Sequence, residues 1–288
     1  MSNPFDLDQT DAYAAWREQK LEQAIACSAD LIVEINDPRM LTAAERDALL
    51  LRCNRSNMAI YAARTPIDET GLQSLGLQFG LKRLDANWLA GEAGITRITV
   101  SSSEPSQAYI PYTDRAIKWH TDGYYNPPER RIRAMVLHCA SAAGQGGINR
   151  TMDHEIAYLM LRDANPDFIR ALSRNDAMTI PARTDEQGIA RAAQTGPVFF
   201  VDQQTLHMRY TARTRSIEWK QDETTLAAVA ALEELLASGS PHIHTVKLEP
   251  GQGLLCNNVL HDRSAFTDDP LHPRLLFRAR YLDRLSTT

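Results

Sequence analysis

Between Ile95 and Tyr281 the chain is punctuated by short apolar and β-branched runs, most of them set off by Gly, Pro or Asp. They cover 95–100, 134–137, 198–201, 242–246, 251–256 and 275–281. Runs of this kind read as strands, and many short strands in series bury their edges best as a barrel or a double-sheet jelly roll. Two helical stretches interrupt the series. Residues 153–162 carry Ile156, Leu159, Met160 and Leu161; residues 223–237 carry Leu226, Val229, Leu232, Leu235 and Leu236 at spacings of three and four, with Gly239 as a stop.

The first 94 residues are mixed in pattern. Apolar positions predict a helix over 10–27 and strands at 31–35 and 58–61. Thr42 followed by Glu45 is a capping box opening a helix that ends near Cys53, and a third helix over 68–80 is broken by Gly76 and Gly80. No repeat, low-complexity tract or linker separates these parts. The expectation is one α+β domain over 1–288, with 1–94 a helical and mixed elaboration packed on a jelly-roll core over 95–285.

Composition excludes several classes. With 43% hydrophobic and 23% charged residues, the chain has enough apolar surface for a sizeable core. Its 31 basic residues face 36 acidic ones, a net charge of -5, which argues against nucleic acid as a partner. Cys27, Cys53, Cys139 and Cys256 lie far apart, so there is no C-x-x-C site, and free thiols fit a reducing cytoplasm. The N-terminus is acidic, and nothing approaches the ~18 apolar residues of a membrane span. A cytoplasmic protein without a membrane partner is expected.

The segment that carries chemistry is Lys118-Trp119-His120-Thr121-Asp122-Gly123-Tyr124. On extended chain, residues two apart share a face, so His120 and Asp122 can hold one ion from one side. A third ligand from a distant strand would complete two imidazoles and one carboxylate, the facial set of non-haem Fe(II) sites that activate oxygen. H-x-D alone is a common tripeptide. Farther on, His261 follows a Gly-turn strand and precedes a loop; Arg274 comes thirteen residues later and Arg278 four after that. A guanidinium is a planar fork suited to a carboxylate.

In this order, His120-Thr121-Asp122, the Gly146-Gly147 pair, the Leu260-His261-Asp262-Arg263-Ser264-Ala265-Phe266 stretch and Arg274 to Arg278 resemble the taurine dioxygenase (TauD/TfdA) family, with features of its γ-butyrobetaine hydroxylase branch. The resemblance spans about residues 95–285. It implies a double-stranded β-helix with flanking helices, Fe(II) held by His120, Asp122 and His261, and 2-oxoglutarate paired through its distal carboxylate with Arg274. Asn149, two residues after the glycine pair, stands where relatives often have a Thr that touches the cosubstrate, and its amide can donate the same bond. Arg278 matches a position that in some relatives contacts an anionic substrate group. The implied reaction uses O2 to hydroxylate a C–H bond of a small molecule and releases succinate and CO2. Asp122 argues against halogenation, since halogenating relatives lack that carboxylate. Family members often associate, so a homo-oligomer fits.

Other readings stay beside this one. The fold could carry a catalytically silent ligand-binding or sensor module, or the protein could be a cupin-like metal-dependent lyase or isomerase, for which His242 and His244 offer an H-x-H pair. Tyr124 and Tyr125 either line the substrate pocket or pack over the barrel mouth. His207 falls where relatives shape that pocket. Trp119, facing away from His120, belongs to the core, as does His138 between Leu137 and Cys139; His154 belongs near a helix start and His272 in the loop before Arg274. Arg263 either faces the site or pairs on the surface. Of the 31 basic residues only Lys20, Lys82, Lys118, Lys220 and Lys247 are lysine. The clusters Arg130-Arg131-Arg133 and Arg209-Arg213-Arg215 read as solvated faces or ion pairs, with a gate for an acidic substrate as the sharper alternative.

Overall fold

A six-stranded sheet carries two clusters of buried apolar side chains. Its order is Ile32–Ile35, Met58–Ala63, Gln252–Cys256, Ala134–Ser141, Leu275–Tyr281 and Thr96–Ile98. The structure, a computed structural model, describes residues 3–85, 94–100, 110–185, 188–213, 217–269 and 271–286. Every pairing in the sheet is antiparallel except the first, where Ile32–Ile35 runs parallel to Met58–Ala63. A parallel pair needs a crossover, and the Ala43–Ser56 helix supplies it. Two strands of the N-terminal ninety residues therefore extend the main sheet. Alternation along its strands sends side chains into two apolar clusters. One holds Tyr61, Val136, Leu255 and Phe277, the other Ile60, Leu137, Leu254 and Leu276.

The helices end where local chemistry stops them. Thr42 accepts from the Glu45 N–H and the Glu45 carboxylate accepts from the Thr42 N–H, so the capping box forms as expected. That helix runs to Ser56, three residues past the expected end, until Asn57 turns left-handed at φ 55°. Asp68 caps the Glu69–Leu77 helix, and Asp222 caps Glu223–Ala237. The N-terminal helix is Thr10–Gln23, shorter than its periodicity predicts. Asp153 caps His154–Ala164, and Asn165 with Pro166 starts a further helix, Pro166–Leu172, that the apolar pattern did not reveal.

The chain forms two compact units. One consists of Ile25–Lys118, Ile132–Thr151 and His244–Thr288 and contains the six-stranded sheet. The other consists of Met1–Ala24, Trp119–Arg131 and Met152–Ile243. Its core packs Phe5, Trp16, Tyr158 and Phe199 edge to face, with neighbouring centroids 5.2 to 6.2 Å apart. It also contains short strand pairs at Arg183–Asp185 with Gly188–Arg191 and Phe199–Asp202 with Thr205–Met208. A further four-stranded sheet has the order Ile243–Val246, Asn149–Met152, Leu260–Arg263, Ile117–His120. Its last three strands were not apparent in the sequence pattern, because each is four residues long and rich in polar side chains. No described helix is long and apolar enough to cross a membrane.

Candidate metal centre and cosubstrate cleft

His120 ends the Ile117–His120 strand. The chain around it is pinned to a neighbouring segment: Ala212 N–H donates to the Trp119 carbonyl at 2.8 Å, and Thr121 N–H to the Tyr210 carbonyl at 3.0 Å. The Thr121 hydroxyl accepts from Tyr210 N–H at 3.0 Å. Thr121 is thus held on one side, and His120 and Asp122 project from the other. Their nearest ligand atoms, Nε2 and Oδ1, are 4.0 Å apart. Trp119 is buried, as expected.

His261 lies within the short Leu260–Arg263 strand. Asn258, at φ 51°, sits in the turn just before that strand. The Leu260–Arg263 strand is hydrogen-bonded beside Ile117–His120 in the four-stranded sheet, which explains why two distant histidines meet. His261 Nδ1 lies 2.9 Å from the Val259 carbonyl. A carbonyl only accepts, so Nδ1 carries the proton and Nε2 keeps its lone pair for a cation. One ligand atom each from His120, Asp122 and His261 all lie within 4.8 Å of one another. Two imidazoles and one buried carboxylate form the donor set of an Fe(II) facial site, so these residues fit the ion. Asp262, alternating away from His261, bonds Arg150 at 2.5 Å.

The residues expected to hold the cosubstrate form a second group. Arg274, Asn149, Gly146, Gly147, Cys139, Lys247, Leu248 and Leu276 are among those lining one cleft. Gly146 has φ +74°, and a Cβ there would stand 2.3 Å from the Ala265 carbonyl, so the turn requires glycine. Arg274 is buried. Its backbone N–H donates to Asp268 at 2.6 Å and its guanidinium lies over the Phe266 ring at 4.9 Å. Burial lowers its pKa, with Cys139 and Asp268 opposing. Asn149 Nδ2 donates to the Gly147 carbonyl at 3.4 Å. Cys139 and Lys247 were missed by the sequence reading. Their one signal was rarity, since lysine is scarce in this chain. Burial pushes the Cys139 thiol up to about 11, so it is neutral.

The remaining candidates separate. Tyr124 stays near the candidate metal ligands, its ring edge-to-face with His120 at 6.4 Å, and Tyr125 packs on Tyr124 at 5.1 Å. His207 stacks on Phe200 at 5.3 Å, and Arg131 covers Phe200 at 4.0 Å. Arg278 sits mid-strand opposite Leu137 and Thr96 and is not among the cleft-lining residues. Arg263 is not a surface pair, and it shares the Phe266 ring with Arg274. It is buried over Phe266 and donates to the Thr113 and Arg115 carbonyls, because a guanidinium can satisfy several loop carbonyls at once. Arg209 is likewise buried rather than solvated. It donates to the carbonyls of Tyr124 and Gln194 at 2.8 and 2.7 Å and so fixes the loop after Asp122. Arg215 lies outside the described residues. His138 is a core residue between the rings of Tyr61 and Phe277, and His154 opens its helix. His242 and His244 fall at and in the ordinary strand Ile243–Val246, where His244 contacts Ser28.

The model of the family described as taurine catabolism dioxygenase TauD, TfdA matches residues 22–280. A uridine-5'-phosphate dioxygenase of Amycolatopsis sp is 30% identical over 188 residues, which is 63% of this chain and 66% of that protein. A second, from Streptomyces sp, is 28% identical over 196 residues, 65% of this chain and 69% of its own length. The chain thus matches about two thirds of those relatives. Among solved structures, asparagine oxygenase with Fe(II), hydroxyasparagine and succinate superposes with a TM-score of 0.57 at 15% identity, covering 85% of both chains. The non-heme iron oxygenase OrfP with Fe and alpha-ketoglutaric acid gives 0.61 at 17% identity, over 84% of this chain and 80% of that one. The fold is therefore the double-stranded β-helix with flanking helices. None of these findings supports the γ-butyrobetaine hydroxylase branch. A match over nearly the whole chain, on a fold shared with iron oxygenases, assigns this protein to the TauD/TfdA dioxygenase family.

Proposed function

We propose that the protein is an Fe(II)- and 2-oxoglutarate-dependent hydroxylase of a small anionic molecule, and that 1–288 act as one catalytic domain. The carrying observation is the meeting of His120, Asp122 and His261, with the His261 proton held on Nδ1. Bound iron with 2-oxoglutarate and O2 supplies the oxidant for C–H hydroxylation, with succinate and CO2 released. The protein's part is orientation and shielding. His120, Asp122 and His261 hold the ion on one side and leave the other open. Arg274 receives the distal carboxylate, Asn149 donates from the cleft wall, and Lys247 adds a second positive charge there. Tyr124 and Tyr125 restrict access beside His120.

The relatives' names suggest the substrate class, a nucleoside 5'-phosphate, which agrees with the anionic group anticipated from sequence. The test is succinate formation from 2-oxoglutarate with Fe(II) in air, with and without uridine 5'-phosphate. Wild type forms succinate, EDTA stops it, and His120→Ala and Asp122→Ala reduce it by about a thousandfold or more, the scale of losing a reaction's essential group. Equal turnover in those variants removes the metal assignment.

A further inference from the structure

Beyond the metal ligands, the tyrosine pair leads to an arginine. Arg191 ends the Gly188–Arg191 strand and is paired across the hairpin with Arg183. Its guanidinium carbon stands 5.5 Å from the centre of the Tyr125 ring, and its Nη2 donates to the Pro181 carbonyl at 2.8 Å. Tyr125 touches Tyr124, which touches His120, at 5.1 and 6.4 Å between rings. Arg191 is thus two aromatic rings from a candidate metal ligand. It is half-buried. The ionisable groups that bear on it are Tyr124, Tyr125 and Arg183, with no carboxylate among the described residues.

This is an unusual setting for a structural arginine. Arg209, nearby in the same unit, donates to several backbone carbonyls and is fully used. Among the described residues Arg191 bonds one carbonyl, and its guanidinium lies over the Tyr125 ring. Partial burial and the second guanidinium both disfavour its charge, and both penalties are relieved when an anion arrives. The remaining N–H groups of the fork match an oxyanion bidentately, whereas a lysine there would offer a point charge.

We propose that Arg191, seated over Tyr125, is the recognition point for a phosphate-class oxyanion on the substrate. The proposal rests on the oxygenase reading above and adds to it the residue that selects the anion. It differs from the sequence expectation, which gave that role to Arg278.

The test is calorimetric titration of the full chain with inorganic phosphate, uridine 5'-phosphate and uridine. Wild type, Arg191→Gln, Arg191→Lys and Arg278→Gln are compared, with thermal melting to confirm that each is folded. Arg191→Gln weakens both phosphate probes about tenfold or more, the scale of one lost charge-assisted bond, and leaves uridine binding as in wild type. Arg191→Lys restores part of the affinity, and Arg278→Gln keeps it. Phosphate binding by Arg191→Gln equal to wild type, its loss in Arg278→Gln instead, or no phosphate binding by wild type overturns the proposal. These titrations need no turnover, so they stand apart from the succinate assay, whose failure in wild type would remove the oxygenase reading alone.

Discussion

Arg274 and Lys247 show how much one side chain's surroundings decide. Arg274 is 4% exposed, and the carboxylate that bears on it, Asp268, bonds its backbone N–H. A guanidinium so placed has its fork available for a dicarboxylate. Replacing it should cost about 1.5–3 kcal/mol, the worth of a hydrogen bond to a charged group. Arg274→Gln is therefore expected to raise the KM for 2-oxoglutarate by roughly 10- to 100-fold, with a smaller fall in kcat. Lys247→Met, which removes a half-buried charge from the same cleft, should raise that KM by a few-fold. Steady-state kinetics at saturating substrate separate the two. At this scale the candidate H-x-D pair was legible, because it encodes its own geometry on extended chain. Lys247 was not, because nothing in its neighbours Val246 and Leu248 marks a cleft.

The elements are joined by a few polar contacts as well as by apolar faces. Lys20, in the Thr10–Gln23 helix, is 5% exposed and bonds Asp153 at 2.6 Å and Glu155 at 2.5 Å. Burial opposes its charge, but the two carboxylates outweigh that and raise its pKa. Asp153 also caps the His154–Ala164 helix, so one carboxylate serves both a helix start and a helix–helix contact. Lys20→Met would leave the buried Asp153 carboxylate and the partly buried Glu155 carboxylate without their cation. The expected cost is about 3–5 kcal/mol, measured as a lower urea midpoint at pH 7. Elements with their own caps or long apolar periods were legible: Thr42 with Glu45, and the Glu223–Ala237 stripe. The polar four-residue strands were not, since neighbouring strands stabilise them and their own propensities do not.

Across the whole molecule, His138 connects stability to pH. It is 1% exposed between Tyr61 and Phe277, and its Nδ1 lies 3.0 Å from the Tyr61 hydroxyl. Burial lowers its pKa from 6.5 to about 4. Above pH 6.5 the ring is neutral folded and unfolded, and pH has no effect through it. Between 6.5 and about 4 only the unfolded chain takes the proton, so stability falls as pH falls; below about 4 both states are protonated and the loss is complete. The full loss is about 3 kcal/mol. Denaturant titrations from pH 7.5 to 4 should show this slope in wild type and a flatter one in His138→Phe. An equal slope in both would contradict the assignment.

The sequence by itself determined the class of fold, the caps and apolar stripes of the longer helices, the H-x-D pair and the order of its distant partners, because each depends on residues close along the chain or on pattern. Only the tertiary structure decided which strands sit side by side. It brought the His261 strand next to His120, buried Arg209 and Arg263 against loop carbonyls, and set Arg191 over Tyr125. A cation's role depends on what stands within a few ångströms of it, and for these residues some of those neighbours, Tyr124 for Arg209, Thr113 for Arg263 and Tyr125 for Arg191, lie scores of positions away along the chain.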